Sequence, residues 1–377
     1  MKIAWTAFVL DGGRTGIATY VFNMLQALSQ IDRLNDYNIL MPEGVQKLMP
    51  PLGQNFTQTI TPAAIEKPLA NIAWHNTVLP WQARGGRYDL IHIPSIRRIP
   101  LVKTCPIIAT VHDMAVFNMP DKYDTARTIY HRHFLSRLIH RCDHIITVSN
   151  YTRGDIIRFT NYPEEQISVI YSGIDHTTFR PLPRIEAYEE LHKRYGITDP
   201  FIVYVSRVEH PAKNHLNLIK AFELFKKRHP TSHRLVLAGP DWSGAEVVKA
   251  YARDSRYRDS IQFLGSIPRE DIVRLYSACD FMAFPSLFEG FGFPLLEAMA
   301  CGAPVICSKT TSLGELAQNF ALTFDPKDPK AICSAMISIM EDSYRDSRVR
   351  KAKEYAATFD WHNAAREVLK VYASCAK

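Results

Sequence analysis

The stretch SLFEGFGFPLLEAMACGAPVI, Ser286 to Ile306, leads from one short apolar run, Phe281–Phe284, into another, Val305–Cys307. Apolar runs of that length read as buried strands. Between them lie a glycine-rich loop and then Pro294, which fits the first position of a helix. Strand, loop, helix, strand is the repeating unit of a parallel α/β sheet. Two glutamates, Glu289 and Glu297, mark the connection. Glu289 falls on the loop, where Gly290, Phe291 and Gly292 can bring backbone close to a ligand. Glu297 is placed in the first helical turn, where the helix dipole favours a carboxylate. As an isolated pair they read equally as a solvated and a capping residue, or as two groups facing one hydroxyl-rich ligand.

The same alternation runs along most of the chain. In the first half the predicted strands are Ile3–Phe8, Tyr37–Met41, Leu90–Ile93, Ile107–Val111, His144–Val148 and Ile167–Ile170. A helix over Ala18–Gln30 shows Val21, Met24, Leu25 and Leu28 on one face. After the polar stretch Arg180–Arg184 a second series follows: Phe201–Val205, Arg234–Ala238, Ile261–Leu264, Phe281–Phe284, Val305–Cys307 and Ala321–Phe324. A helix over Asn214–Lys227 takes Asn214 as its N-cap. The fold class is therefore α/β, with two doubly wound, parallel-sheet halves meeting near residues 175–185. Ligands of such sheets bind at the carboxyl ends of the strands, which in a two-domain chain means the cleft between them.

Composition fits a globular enzyme. Of 377 residues 46% are hydrophobic and 22% charged, which excludes a disordered or collagen-like chain and allows two cores. No apolar stretch is long enough to span a bilayer. The opening run Ile3–Leu10 ends in Asp11-Gly12-Gly13 without a small-residue cleavage site, so it reads as a buried strand. The seven cysteines are odd in number and hold no C-x-x-C, which points to reduced thiols and a cytoplasmic chain. A net charge of +7 favours anionic partners without choosing among them.

Three more strand ends carry unusual loops. Asp11-Gly12-Gly13-Arg14-Thr15-Gly16 opens backbone to an anion or makes an ordinary tight turn; it is not the dinucleotide pattern G-x-G-x-x-G. His112 follows the strand Ile107–Val111, where a histidine either faces a ligand or serves the structure. Arg207 and Lys213 bracket the loop before the next helix and can converge on one diphosphate.

Together these loops resemble the retaining glycosyltransferases of the GT-B fold, the large family of bacterial mannosyltransferases, sucrose and sucrose-phosphate synthases and lipopolysaccharide core glucosyltransferases. The likeness rests on the N-terminal glycine loop, TVHD at 110–113, ITVSNYTRGDI at 146–156, VIYSGID at 169–175, Arg207 with Lys213, the E-x7-E stretch and FDW at 359–361. It implies an acceptor-binding domain over 1–178, a donor-binding domain over 179–360, and a final helix, 361–377, crossing back to the first. The two Rossmann-like domains would face a central cleft.

By the same resemblance, Glu297 holds the ribose hydroxyls of a nucleotide-sugar donor. Glu289 contacts the transferred sugar beside the amides of Gly290, Phe291 and Gly292. Arg207 and Lys213 hold the diphosphate, Gly13 or Gly16 gives backbone contact to phosphate or sugar, and His112 meets the sugar at its reacting face. Catalysis is expected from His112, Arg207, Lys213 and Glu289. No cofactor and no metal are expected: the cations take the metal's place, and no D-x-D motif stands out.

The expected reaction moves a hexose, mannose from GDP-mannose first, to a saccharide or lipid-linked saccharide in cell-surface polysaccharide or glycolipid synthesis. Alternatives are a UDP-dependent glucosyl or N-acetylglucosaminyl transferase, a nucleotide-sugar epimerase and a catalytically silent nucleotide-sugar-binding subunit. Nucleic acid is not an expected partner. The segment RTIYHRHFLSRLIHRC, 127–142, has four arginines, three histidines and no acid. With Phe134, Leu135, Leu138, Ile139 and Cys142 as its buried stripe, it reads either as a solvated basic helix or as a surface for anionic membrane on the inner face.

Overall fold

A computed structural model describes residues 1–8, 15–85, 87–119, 134–343 and 345–375. Gly13 and the 127–133 part of the basic segment lie outside these residues. The chain divides into two units: Met1–Gly173 together with Asp360–Lys377, and Ile174–Phe359.

In the first unit seven strands, β1 (Lys2–Thr6), β2 (Asp36–Pro42), β3 (Phe56–Thr61), β4 (Leu90–Ile93), β5 (Ile107–Val111), β6 (His144–Thr147) and β7 (Ile167–Val169), form one sheet. Its order is β3-β2-β1-β4-β5-β6-β7. All neighbours pair in parallel. Strands buried on both faces are mostly apolar, and Leu90–Ile93 and Ile107–Val111 are buried at every position, with His92 and Thr110 as their polar members. β3 was not among the expected strands. Its sequence FTQTIT is largely polar and its inner positions are mostly exposed, because it occupies the sheet edge.

The helix Gly16–Ile31 begins at Thr15, whose hydroxyl accepts the Ala18 amide at 3.2 Å. Val21, Met24, Leu25 and Leu28 are fully buried, as their spacing predicts. The final helix, Trp361–Cys375, lies on this one: His362 Nε2 meets Gln30 Oε1 at 2.7 Å. Gly173 passes so near the start of that helix that an added Cβ would stand 2.3 Å from the Trp361 amide nitrogen. From the basic segment, Leu135, Leu138, Ile139 and Cys142 are buried and Phe134 packs on the same core. Arg137, His140 and Arg141 are exposed, with His140 Nε2 held 2.8 Å from Thr160 O.

The second unit has six parallel strands, β8 (Phe201–Val205), β9 (Arg234–Ala238), β10 (Ile261–Gly265), β11 (Phe281–Phe284), β12 (Val305–Ser308) and β13 (Leu322–Phe324). Their order, β10-β9-β8-β11-β12-β13, reverses direction between β8 and β11. That reversal leaves a crevice at the carboxyl ends of two neighbouring strands, the usual ligand position of a doubly wound sheet.

Two local expectations are corrected. Asn214 stands at the N-cap of the helix His215–Arg228, yet its side chain does not cap it. Its amide instead donates to the carbonyls of Pro285 and Pro326 at 2.9 and 2.7 Å, tying three loops together. The helix Phe293–Ala300 starts one residue earlier than expected, with Gly292 as N-cap and Pro294 second. Glu297 therefore lies beyond the first turn, where the helix dipole no longer explains its position. Among the described residues no helix is long and apolar enough to cross a membrane.

Candidate functional site

The loops after β8 and β11 meet across the reversal point of the second sheet. Leu287 donates its amide to Ala212 O at 3.0 Å. Tyr204, buried on β8, donates its hydroxyl to Lys213 O at 3.0 Å. With that proton committed, the 3.0 Å contact to Ser286 Oγ must be donated by the serine. One phenol thus pins both loops. Above it Lys213 Nζ and Glu289 Oε1 pair at 2.6 Å, with side chains only 16% and 14% exposed.

The glycine loop is held from below. Ser312 Oγ contacts the carbonyl oxygens of Glu289 and Phe291 at 2.9 and 2.7 Å. Gly292 has φ of 110°, a region that disfavours side chains, and a Cβ there would stand 2.7 Å from Leu313 Cδ2. Gly290, Phe291 and Gly292 therefore follow Glu289 on a backbone braced from the helix Thr311–Ala317.

Arg207 is fixed on two sides. Its Nε donates to Glu209 Oε2 at 2.7 Å, and Glu209 is itself 2% exposed. Its guanidinium lies 5.2 Å from the Trp242 ring centroid. The Trp242 loop is laced to the Arg207 loop by Val208 N to Pro240 O, Trp242 N to Val208 O and His210 N to Ser243 O, at 2.8, 2.9 and 3.0 Å. Arg207 and Lys213 thus each hold a carboxylate partner before any anion arrives.

Glu297 has a separate electrostatic setting. Burial pushes its carboxyl up to about 7, against Arg269, which pulls it down, and with Asp175, which adds to the rise. Burial also raises Asp175, but hydrogen bonds from Thr177 and Thr178, with Arg269 nearby, hold it below its ordinary value. Tyr276 and Cys301 also feel Glu297, and burial keeps both neutral. The two glutamates thus answer to different neighbours, Lys213 for one and Arg269 with Asp175 for the other.

In the first unit His112 follows β5. Burial lowers it to about 4, while Asp113 and a hydrogen bond to the Pro94 backbone act in the opposite sense. Among the described residues its buried Nε2 has no hydrogen-bond partner, so the bond to Pro94 uses Nδ1. A neutral ring with its proton on Nδ1 offers Nε2 as an acceptor. Gly16 is the first residue of its helix, behind the Thr15 cap. Sequence reasoning did not find Tyr204, Trp242 or Ser312, whose roles come from contacts between separate loops, nor Glu209, which faces Arg207 within one loop.

Comparisons with known proteins give the family and the fold. The family described as Glycosyl transferases group 1 matches residues 187–358, and Glycosyltransferase Family 4 matches 14–178. The chain is 31% identical over 272 residues to the O-antigen chain mannosyltransferase B of Escherichia coli, covering 70% of this chain and 69% of that protein. The chain belongs to the group 1 glycosyl transferases. A second relative of this glycosyltransferase is the O-antigen chain mannosyltransferase RfbU of Salmonella typhimurium, at 29% identity over 72% of this chain and 69% of that protein. Its fold matches a sucrose-phosphate synthase of Thermosynechococcus elongatus with a TM-score of 0.79 at 20% identity, covering 99% and 98% of the two chains. The GT-B architecture expected from the sequence is thereby established. As a group 1 glycosyltransferase the protein takes a nucleotide-sugar donor and a saccharide acceptor.

Proposed function

We propose that this glycosyltransferase moves mannose from GDP-mannose to a saccharide or lipid-linked saccharide in cell-surface polysaccharide synthesis. The observation that carries the chemistry is the Lys213–Glu289 pair across the reversal point of the second sheet. The mannose assignment rests on the relatives, both O-antigen chain mannosyltransferases. Departure of a nucleoside diphosphate builds negative charge on the leaving phosphate, and fixed cations stabilise it electrostatically. Lys213 and Arg207 supply those cations, and for that reason we assign no divalent metal to the reaction. Glu289 accepts from sugar hydroxyls when Lys213 turns to the diphosphate. Glu297 accepts from the ribose, and His112 Nε2 accepts from a hydroxyl of the sugar. Transfer on the front face with retention fits a site whose carboxylates hold the donor instead of exchanging protons.

A donor panel of GDP-mannose, UDP-glucose and UDP-N-acetylglucosamine, scored for nucleoside diphosphate release with and without EDTA, tests this. Release is expected from GDP-mannose, unchanged by EDTA, and lowered about 10²-fold in Glu289→Ala. Release from UDP-sugars alone overturns the donor, loss with EDTA overturns metal independence, and donor binding without turnover points to a silent binding subunit.

The position of Glu297 adds a pH dependence. A carboxyl raised above its ordinary 4.5 to about 7 favours the protonated form in the folded chain. Its contribution to stability is therefore complete below the unfolded value and is lost as pH rises through about 7. Donor binding runs the other way, because the ionised carboxylate is the better acceptor for ribose hydroxyls. Titration calorimetry should find donor affinity rising from about pH 6 to about pH 8 while thermal stability falls. Glu297→Gln should flatten both trends, and an unchanged slope in that variant sinks the assignment.

A further inference from the structure

Behind His112, inside the first unit, runs a chain of five buried polar side chains drawn from β1, β4, β5 and two helices. Trp5 Nε1 donates to the Tyr372 hydroxyl at 2.7 Å, and that hydroxyl lies 2.6 Å from His92 Nδ1. His92 Nε2 lies 2.8 Å from Thr110 Oγ1, which lies 3.2 Å from the Tyr20 hydroxyl. None of the five is more than 1% exposed. The Tyr20 ring stands T-shaped against His112, with centroids 4.8 Å apart.

The direction of the chain follows from its first member. An indole N–H can only donate, so the Tyr372 oxygen accepts it; the buried phenol proton then needs an acceptor, and among the described residues His92 Nδ1 at 2.6 Å is the one it meets. A neutral imidazole that accepts at Nδ1 carries its proton on Nε2, so His92 donates to Thr110. Burial lowers His92 to about 3, with the nearby His112 acting in the same sense, so the ring stays neutral through the physiological range. Thr110 is thereby held two residues before His112, and the Tyr20 hydroxyl is held with it. Nothing in this buried chain reaches solvent, and Tyr372 comes from the helix Trp361–Cys375.

We propose that this chain is a positioning device for His112, and that Tyr372, on the final helix, is a positioning residue for sugar transfer. The proposal rests on the reading that His112 accepts a hydroxyl of the transferred sugar. Tyr372 touches no reacting atom; it acts through His92, Thr110 and Tyr20.

The decisive variant is Tyr372→Phe in the full chain, which keeps the ring and deletes the hydroxyl. With GDP-mannose and acceptor, kcat is expected to fall about tenfold while the donor KM moves by less than about twofold. In the His112→Ala background the same substitution should change kcat by less than about twofold, because its effect passes through that ring. Equal losses in both backgrounds, or a kcat within about twofold of the parent, overturn the proposal. Should Tyr372→Phe not fold, Tyr20→Phe, which keeps the ring beside His112, is measured in the same two backgrounds. If no donor is turned over at all, the parent reading fails separately, and the ring nitrogens of the ligand-free protein decide by NMR. A His92 protonated at Nε2, with both His92 and His112 resonances displaced in Tyr372→Phe, supports the device. A His92 protonated at Nδ1, or an unmoved His112, overturns it.

Discussion

Lys213→Ala is expected to lower nucleoside diphosphate release about 10²–10³-fold, the loss typical of a preorganised group that meets charge developing in the transition state. Two effects add in this variant. The cation assigned to the leaving diphosphate is gone, and Glu289, previously paired at 2.6 Å, is left as a shielded carboxylate where the proposed donor brings another anion. Removing Glu289 as well takes away that second effect. Lys213→Ala/Glu289→Ala should therefore lose less than the product of the single losses. Lys213→Arg is not a conservative exchange here, since a planar guanidinium cannot replace a compact ammonium beneath the loop that Tyr204 pins. Release kinetics of the parent, the two alanine variants, their double variant and Lys213→Arg check this, and a loss below about tenfold in Lys213→Ala would remove Lys213 from the leaving-group role.

What the sequence discloses follows from how locally each feature is determined. Leu90–Ile93, Phe201–Val205 and Phe281–Phe284 are fully buried parallel strands, so their composition alone gives them away. The edge strand Phe56–Thr61 needs no such composition and does not announce itself. Glu289, Lys213 and Arg207 are legible because they sit beside glycines or at strand ends. Asn214 shows the limit: the residue type and position suggest a cap, while the carbonyls that claim its amide come from residues 285 and 326. Glu297 is displaced from the first turn by a single residue, because Phe293 and not Pro294 begins the helix. Tyr204, Ser312 and Trp242 look like ordinary strand, helix and loop residues until the sheet order brings their partners beside them.

Gly239 is the extreme of that category, and Gly239→Ala should be the most damaging small substitution in the second unit. The residue follows β9 with φ of 148°, outside the range side chains favour. An added Cβ would stand 2.1 Å from Ser206 O and 2.8 Å from Arg207 N. Both are backbone atoms, so no rotamer change relieves the clash, and the β8 and β9 loops must part. The contacts that aim Arg207 cross that seam, from Ser206 N to Ala238 O at 2.9 Å and from Val208 N to Pro240 O at 2.8 Å. Overpacking and backbone strain together should cost roughly 3 kcal/mol. In a unit of this size that lowers Tm by about 6–12 °C. Separating the loops also moves the guanidinium from Glu209 and Trp242, and a misplacement near 1 Å is worth about 10²-fold in turnover. Gly265 is the control. It accepts the Gly239 amide at 2.8 Å, has φ of 68°, and an added Cβ there meets nothing within 4 Å. Gly265→Ala should therefore cost only the left-handed strain, about 1–2 kcal/mol, and leave turnover unchanged. Calorimetry and release kinetics on the two variants separate the effects. If both lose activity alike, the seam between β8 and β9 is not what holds Arg207.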